Sequence, residues 1–234
     1  MPIRVLVVLD QPVLADLVGL TLSHGRYETR HVVSAQEALA ALGSWPPHLV
    51  ILDMELEGVG GARVMDRVGP AAGDASVPTI ALARRSDLRT RLAAFERGVD
   101  DVVAVPFSPE ELLARVIALV RRAHRGAVAF TPVIRLGGLE IDILHRSVRA
   151  GSAELHLTAL EQSLLYLLAA NAGRVVSRDE ILDALWGTDY LAGSNVVDRQ
   201  VRNLRARLRD DWRRPRFIAT VAGRGYRFLP GSPD

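Results

Sequence analysis

The sequence predicts an α/β, doubly wound (βα)5 domain followed by an α+β domain of short strands, three helices and a closing hairpin. Three observations predict it. Across residues 3–122, short apolar β-branched runs alternate five times with helical patterns, as in a parallel sheet with helices on both faces. The segment Arg121–Pro132 then breaks the pattern with charge, glycine and a proline, and reads as a linker of about ten residues. Beyond it the grammar changes to four short strand-like pieces around 133–156, helical patterns and two strands about a glycine-bearing turn.

In order, the apolar runs are Ile3–Leu9, Tyr27–Val33, Leu49–Leu52, Thr79–Ala83 and Asp101–Val105, and the helical stretches lie near 12–23, 35–42, 61–68, 87–97 and 108–122. In an open parallel sheet the ligand site lies at the carboxyl ends of the strands. Those ends carry Asp10, Asp53, Ala83 and Val105. In the second unit, Thr158 with Glu161 and Ser177 with Glu180 fit the S/T-x-x-E capping box, each side chain satisfying a free backbone N–H at a helix start. Asn195 with Asp198 is a weaker form of the same signal at a third helix. The last strands, Phe217–Val221 and Tyr226–Leu229, flank Ala222-Gly223-Arg224-Gly225.

Composition excludes several chemistries. All 29 basic side chains are arginine, and there is no cysteine. Disulfides, thiolate metal sites and cysteine nucleophiles are therefore out, as are Schiff bases and P-loop phosphate binding, which need lysine. The apolar run at the N-terminus is too short to span a membrane and lacks a cleavage site, so a cytoplasmic protein with no membrane partner is expected. The six histidines show no metal-ligand spacing and read as surface or satisfied residues. Trp45, Trp186 and Trp212 read as packing residues.

Charge divides at the linker. Residues 1–122 hold 13 arginines against 15 acids, residues 123–234 hold 16 against 12, and Arg199–Arg216 holds eight against two. On the helix predicted over 195–209, Val197, Val201, Leu204 and Leu208 share one face and point into a core. The opposite face carries Asn195, Arg199, Arg202, Asn203 and Ala206, with Arg205, Arg207 and Arg209 on the flanks. Arginine and asparagine on an outer face can form bidentate hydrogen bonds to guanine and adenine edges in a major groove. The flanking arginines would neutralise phosphates. A solvated arginine face is the ordinary alternative. Two features weigh against it: few acids compensate the run, and it leads into a hairpin tipped by Arg224, the arrangement of a winged helix-turn-helix domain whose wing reaches a minor groove.

The stretch Asn195-Val-Val-Asp-Arg-Gln-Val-Arg-Asn-Leu-Arg-Ala-Arg-Leu208, followed by Thr220-Val-Ala-Gly-Arg-Gly-Tyr-Arg-Phe228, resembles the effector domain of OmpR/PhoB-type response regulators. The N-terminal half resembles their receiver domain. The resemblance implies a receiver-like domain over 1–122, a linker over 123–132 and a winged-helix DNA-binding domain over 133–234. It makes double-stranded DNA the partner, Asn195–Leu208 the recognition helix and Gly187–Gly193 a segment that can touch RNA polymerase. Asn203 and Ala222 stand where many members have arginine, and Arg224 is offset by two residues along the wing. These departures bear on which DNA sequence is preferred.

The same resemblance makes Asp53 the phosphoacceptor position. The acidic pair after the first strand appears as Leu9-Asp10, so a magnesium ion would have Asp10 and Asp53 as its ligands. The hydroxyl position is Ala83, the lysine position Val105 and the aromatic switch position Val102. Of these six positions only the two aspartates carry the family's groups. A cation about 4 Å from a phosphoryl group contributes roughly 4 kcal/mol at an effective dielectric near 20, and here that contribution is missing. We therefore expect a receiver that acts independently of phosphorylation, requires no cofactor and no histidine kinase, and serves dimerisation. The face around 87–122 suits that role. Arg91, Glu96, Asp100, Asp101, Glu111, Arg115 and Arg122 match much of the charged set through which family members dimerise, while Arg97, Ile117 and Ala118 depart from it. Two readings stay open beside this one: a conventional response regulator phosphorylated on Asp53 by a histidine kinase, and a receiver that senses a small-molecule ligand. An enzyme is not expected, because a phosphohydrolase with Asp53 as nucleophile would need groups to hold substrate phosphate, and neither lysine nor a strand-end Ser/Thr is present.

Overall fold

The computed structural model describes residues 2–23, 27–56, 60–83, 88–124, 133–143, 145, 147–186 and 195–229. The first unit runs β1 (Ile3–Val8), α1 (Pro12–Leu22), β2 (Tyr27–Val32), α2 (Ala35–Ser44), β3 (Leu49–Asp53), α3 (Gly60–Val68), β4 (Thr79–Ala83), α4 (Leu88–Glu96), β5 (Asp101–Ala104) and α5 (Pro109–His124). These are the five βα units expected. The strands pair in parallel in the order β2-β1-β3-β4-β5, which leaves the charged β2 at one edge, where charge deters pairing with another chain. Helix starts follow local chemistry: Pro12 opens α1, where a missing N–H costs nothing, and Ser34 caps α2 by accepting from the Glu37 N–H.

Strand residues alternate between two buried layers, as the period-two geometry of a strand requires. Val5, Val7, Leu49, Ile51, Ile80, Leu82 and Val103 face the layer filled by α1 and α5. Leu6, Val8, Val50, Leu52, Ala81 and Val102 face the layer filled by α2 and α3. Each valine, leucine and isoleucine among them contributes on the order of 1.5–3 kcal/mol on burial, so the strand ends are held in place by a doubly covered sheet. α5 continues to His124, two residues past the expected boundary at 122. The first two positions of the expected linker 123–132 are thus helical, and 125–132 lie outside the described residues.

The second unit begins with a four-stranded antiparallel sheet, β6 (Val133–Leu136), β7 (Leu139–Asp142), β8 (Ser147–Ala150) and β9 (Ala153–Leu155), in sequential order. Then come α6 (Ala159–Ala170), β10 (Val175–Val176), α7 (Arg178–Trp186), α8 (Val196–Leu208), β11 (Ile218–Val221) and β12 (Gly225–Phe228). The two-residue β10 is absent from the sequence reading, being too short to show a period. It pairs with β12, giving a three-stranded sheet of order β10-β12-β11.

The two units share a core. α1 packs against both α6 and α7, and one continuous set of buried apolar side chains runs from Leu14, Leu17 and Val18 of α1 to Leu164, Leu165 and Leu168 of α6. The sequences of the two helices explain this contact. α1 (PVLADLVGLTL) and α6 (ALEQSLLYLLAA) are apolar nearly all round, and such a helix needs cover on more than one side.

Candidate nucleic-acid interface

The second unit is fixed from its caps inward. Thr158 and Glu161 form a complete capping box at α6: the Glu161 N–H donates to the Thr158 hydroxyl, and Glu161 accepts from the Thr158 N–H at 2.8 Å. Ser177 and Glu180 do the same at α7, with contacts of 2.7 and 3.1 Å. The third expected cap is a correction. Asn195 makes no side-chain cap, and Asp198 is engaged elsewhere: its Oδ1 accepts from Arg178 Nε at 2.7 Å and from the Tyr226 hydroxyl at 2.7 Å. This triad ties α7, α8 and β12 together. Burial alone would push the Asp198 carboxyl up, but the hydrogen bonds from Tyr226 and Arg178 outweigh it and hold the group below its ordinary value. Burial, reinforced by the bond to Asp198, pushes the Tyr226 hydroxyl up to about 12.

α8 is amphipathic as expected. Val197, Val201, Leu204 and Leu208 are buried, joined by Val196 at the start of the helix. Asn195, Arg199, Arg202, Asn203 and Ala206 are exposed, and so are Arg207 and Arg209. Arg205 departs from the DNA-contacting role expected of it. Its guanidinium folds back onto the hairpin, donating to the Ile218 carbonyl from Nε at 3.2 Å and from Nη2 at 2.6 Å, and to the Thr220 hydroxyl at 2.9 Å. It also lies 5.7 Å from the centre of the Tyr226 ring. It therefore braces α8 against β11, because three hydrogen bonds to two acceptors already claim its planar fork of donors. Arg207 lies within 3.7 Å of Glu161 but stays half exposed.

Beyond α8 the chain turns on Asp210, which the sequence reading missed. Its buried carboxylate accepts three backbone N–H groups, from Arg216 at 2.6 Å, Phe217 at 3.3 Å and Ile218 at 2.9 Å. The end of α8 and the hairpin are thereby held in one geometry. Gly225 closes the hairpin with φ +145°, and a Cβ there would lie 2.1 Å from the Val176 carbonyl oxygen. Only glycine lets β12 approach β10 this closely. Arg224 is exposed at the turn. Trp212 is a further correction: it is 64% exposed rather than packed.

In the first unit, Asp53 ends β3 and is 3% exposed, with its Oδ1 accepting the Glu55 N–H at 2.8 Å. Asp10 is exposed after β1. Leu9, Ala83, Val102 and Val105 are all buried in apolar layers. Val105 donates its N–H to the Ala83 carbonyl at 2.8 Å and precedes a cis bond to Pro106. A divalent cation of the magnesium kind requires a full set of oxygen ligands, and Leu9 offers no side-chain oxygen, so the residues present fit such an ion poorly. Among the described residues no cluster of three metal-ligating side chains is assembled.

On the face expected to dimerise, Arg115 is bound within its own chain, to Asp101 at 2.8 Å and to Glu111 at 2.9 Å. Asp100 accepts the Thr79 N–H at 2.8 Å. Arg91, Glu96 and Arg122 are exposed. The sequence reading missed two apolar side chains among them, Leu92 and Phe95 of α4, which are 51% and 45% exposed. They could have been found as apolar residues on the charged side of an otherwise polar helix. The segment 187–193 lies outside the described residues. No described helix is long and apolar enough to cross a membrane.

A doubly wound domain with aspartates at two strand ends, fused to a winged helix with an arginine-rich outer face, defines a response regulator that binds DNA. The comparisons agree and name the branch. Residues 5–117 match the response regulator receiver domain, and residues 152–228 match the C-terminal domain of transcriptional regulatory proteins. The chain belongs to the OmpR/PhoB-type response regulators. It is 34% identical over 224 residues to the transcriptional regulatory protein KdpE of Mycobacterium tuberculosis (strain H37Rv), covering 96% of this chain and 98% of that one. It is 35% identical to the DNA-binding response regulator MtrA of Mycolicibacterium smegmatis, covering 97% of each. The structure of DrrB, an OmpR/PhoB homolog from Thermotoga maritima, matches 98% of this chain and 100% of that one at 30% identity and a TM-score of 0.45.

Proposed function

We propose that this regulator binds specific double-stranded DNA with α8 in the major groove and the 222–225 turn at the minor groove, as a homodimer through the α4-β5-α5 face, in the cytoplasm and without phosphorylation of Asp53. The observation that carries the DNA reading is the exposed face of Asn195, Arg199, Arg202 and Asn203 opposite a buried Val/Leu face. Arg207 and Arg224 would meet phosphates or the minor groove. RNA polymerase remains a candidate partner through 187–193.

Phosphorylation independence rests on apolar side chains at the positions that would hold and report a phosphoryl group: Ala83 and Val105 offer neither hydroxyl nor amine, and both are buried. Leu92 and Phe95 support the dimer, since exposed apolar side chains favour a partner, and Val102 leaves no bulky aromatic there to be switched. The charged members contribute less, because Arg115, Asp101 and Glu111 already pair internally and exposed pairs are weak. No cofactor and no histidine kinase enter this reading.

Gel shifts with duplexes from the protein's own promoter region, with and without a small phosphodonor, test it together with sedimentation at micromolar concentration. The expected result is the same shift under both conditions and a dimer without phosphodonor. A monomer that dimerises and binds only with phosphodonor would favour the conventional reading, which the retained Asp10 and Asp53 support. Mass spectrometry would then find the added phosphate on Asp53.

A further inference from the structure

We propose that Trp212 is a DNA contact, its indole packing on the deoxyribose face of the strand that borders the groove entered by α8. The proposal rests on the DNA reading above and adds to it a residue outside the recognition helix and the wing. Trp212 stands at one wall of a cleft of about 480 Å³, also lined by Arg202, Arg205, Ala206, Asp210 and Asp211. Arg202 and Ala206 lie one turn apart on the exposed face of α8, so the cleft opens on the side of the helix that reads DNA.

The exposure of Trp212 is built in by the backbone on both sides of it. The Asp210 carboxylate pins residues 216–218. Asp211 accepts the Arg213 N–H on its side chain at 3.0 Å and the Arg214 N–H on its carbonyl at 2.9 Å. The Arg213 guanidinium lies 5.3 Å from the centre of the indole. Trp45 and Trp186, by contrast, are half-buried.

The chemistry of the surround selects the occupant. An aromatic face among guanidiniums suits the apolar sugars and anionic phosphates of a DNA backbone, where much of protein–DNA contact is made. A second copy of this unit would bring its own surplus of arginine, since residues 123–234 carry 16 arginines against 12 acids. Asp210 is turned inward onto its three N–H groups, which leaves Asp211 as the anion facing the cleft, offset by Arg202 and Arg213.

The test uses the full chain and a duplex selected from a random pool by the wild-type protein. Trp212→Ala is expected to weaken binding about tenfold with the salt dependence unchanged, because an indole releases no counterions. Arg202→Ala should weaken binding and also relax which duplexes are preferred, as the loss of a base contact does. Trp212→Phe should recover part of the loss. The fluorescence component lost in Trp212→Phe should be shielded from acrylamide when DNA is added to the wild type. Thermal melts of both Trp212 variants should match wild type, since the side chain is exposed. Wild-type affinity in Trp212→Ala, or an indole that stays open to acrylamide in the complex, overturns the proposal while Arg202→Ala still tests the DNA reading. A loss confined to duplexes carrying two sites also overturns it and assigns Trp212 to contact between copies. If the wild type retains no duplex from the pool, the underlying DNA reading fails and this proposal with it.

Discussion

Replacing Asp210 by alanine removes an acceptor that three backbone N–H groups share, and its effect can be worked out from their surroundings. Phe217 and Ile218 are almost wholly buried, so their N–H groups lose a partner where water cannot replace it. An unsatisfied buried donor costs about 1–3 kcal/mol. Arg216 is exposed, so water replaces most of its 2.6 Å bond. The expected loss for Asp210→Ala is therefore about 3–4 kcal/mol, a large share of the roughly 5–15 kcal/mol that a folded domain has. Asp210→Asn keeps one oxygen in nearly the same place and should cost about half as much. Urea unfolding followed by circular dichroism measures both, with the midpoint falling while the slope is unchanged. DNA affinity should fall with stability, since the same bonds hold the hairpin beside α8. If Asp210→Ala unfolds within 0.5 kcal/mol of wild type, the carboxylate is not the anchor described here.

Gly225→Ala should destabilise the chain by about 4 kcal/mol, from the positive φ and from the collision with Val176; a urea midpoint near wild type would show that β10 and β12 can separate freely. Arg205→Ala should lower stability by about 1–2 kcal/mol, through its lost bonds to Ile218 and Thr220, while leaving the salt slope of DNA binding unchanged; a flatter slope would make it a phosphate contact instead. Asp198 and Tyr226 give stability two pH edges. The depressed Asp198 value means that its contribution is present above the unfolded carboxylate range and lost as pH falls through the folded value. The raised Tyr226 value means a contribution present below about pH 10 and lost as pH climbs to about 12. Tyr226→Phe should shrink the alkaline edge in a melting series without abolishing it, because burial also pushes the Tyr27 hydroxyl up to about 12; an edge left at full size by the substitution would refute the contribution of Tyr226. Finally, the core shared by α1 and α6 predicts a single unfolding transition: in a Trp212→Phe background, Trp45 in the first unit and Trp186 in the second should report the same midpoint, and two separated midpoints would refute the coupling.

What the sequence made legible is what periodicity and capping encode. The alternation of Val5, Leu6, Val7 and Val8 between two layers follows from a continuous apolar run, and the Thr158–Glu161 box follows from two residue types at the right spacing. The outer face of α8 was readable for the same reason. Asp210 and Trp212 were not, because each takes its role from a turn of irregular backbone that no period describes, and Arg205 was not, because its acceptors lie 13 and 15 residues along the chain on β11. Counting arginines makes Arg205 a phosphate ligand; only the position of the Ile218 carbonyl turns it inward. Asp198 matched a weak cap signal, yet Arg178 and Tyr226, 20 and 28 residues away, compete for the same oxygens.

The α1–α6 contact was the most consequential omission, because it joins the two domains in one core. Both helices announce themselves as apolar on nearly every side, but an apolar helix does not say which neighbour covers it. Here each covers the other across the domain boundary, and α6 packs in turn against α8. Taking the receiver away would expose the outer leucines of α6 and remove support from beneath α8, a cost in apolar burial that needs no phosphate to be felt. The side chains of Ala83 and Val105 are buried and apolar, and offer neither a hydrogen-bonding group nor a charge. Among the described residues, packing links the first domain to α8 through α1 and the helices α6 and α7. An input that loosens or tightens this contact would change how firmly α8 is held, whether or not Asp53 is ever modified.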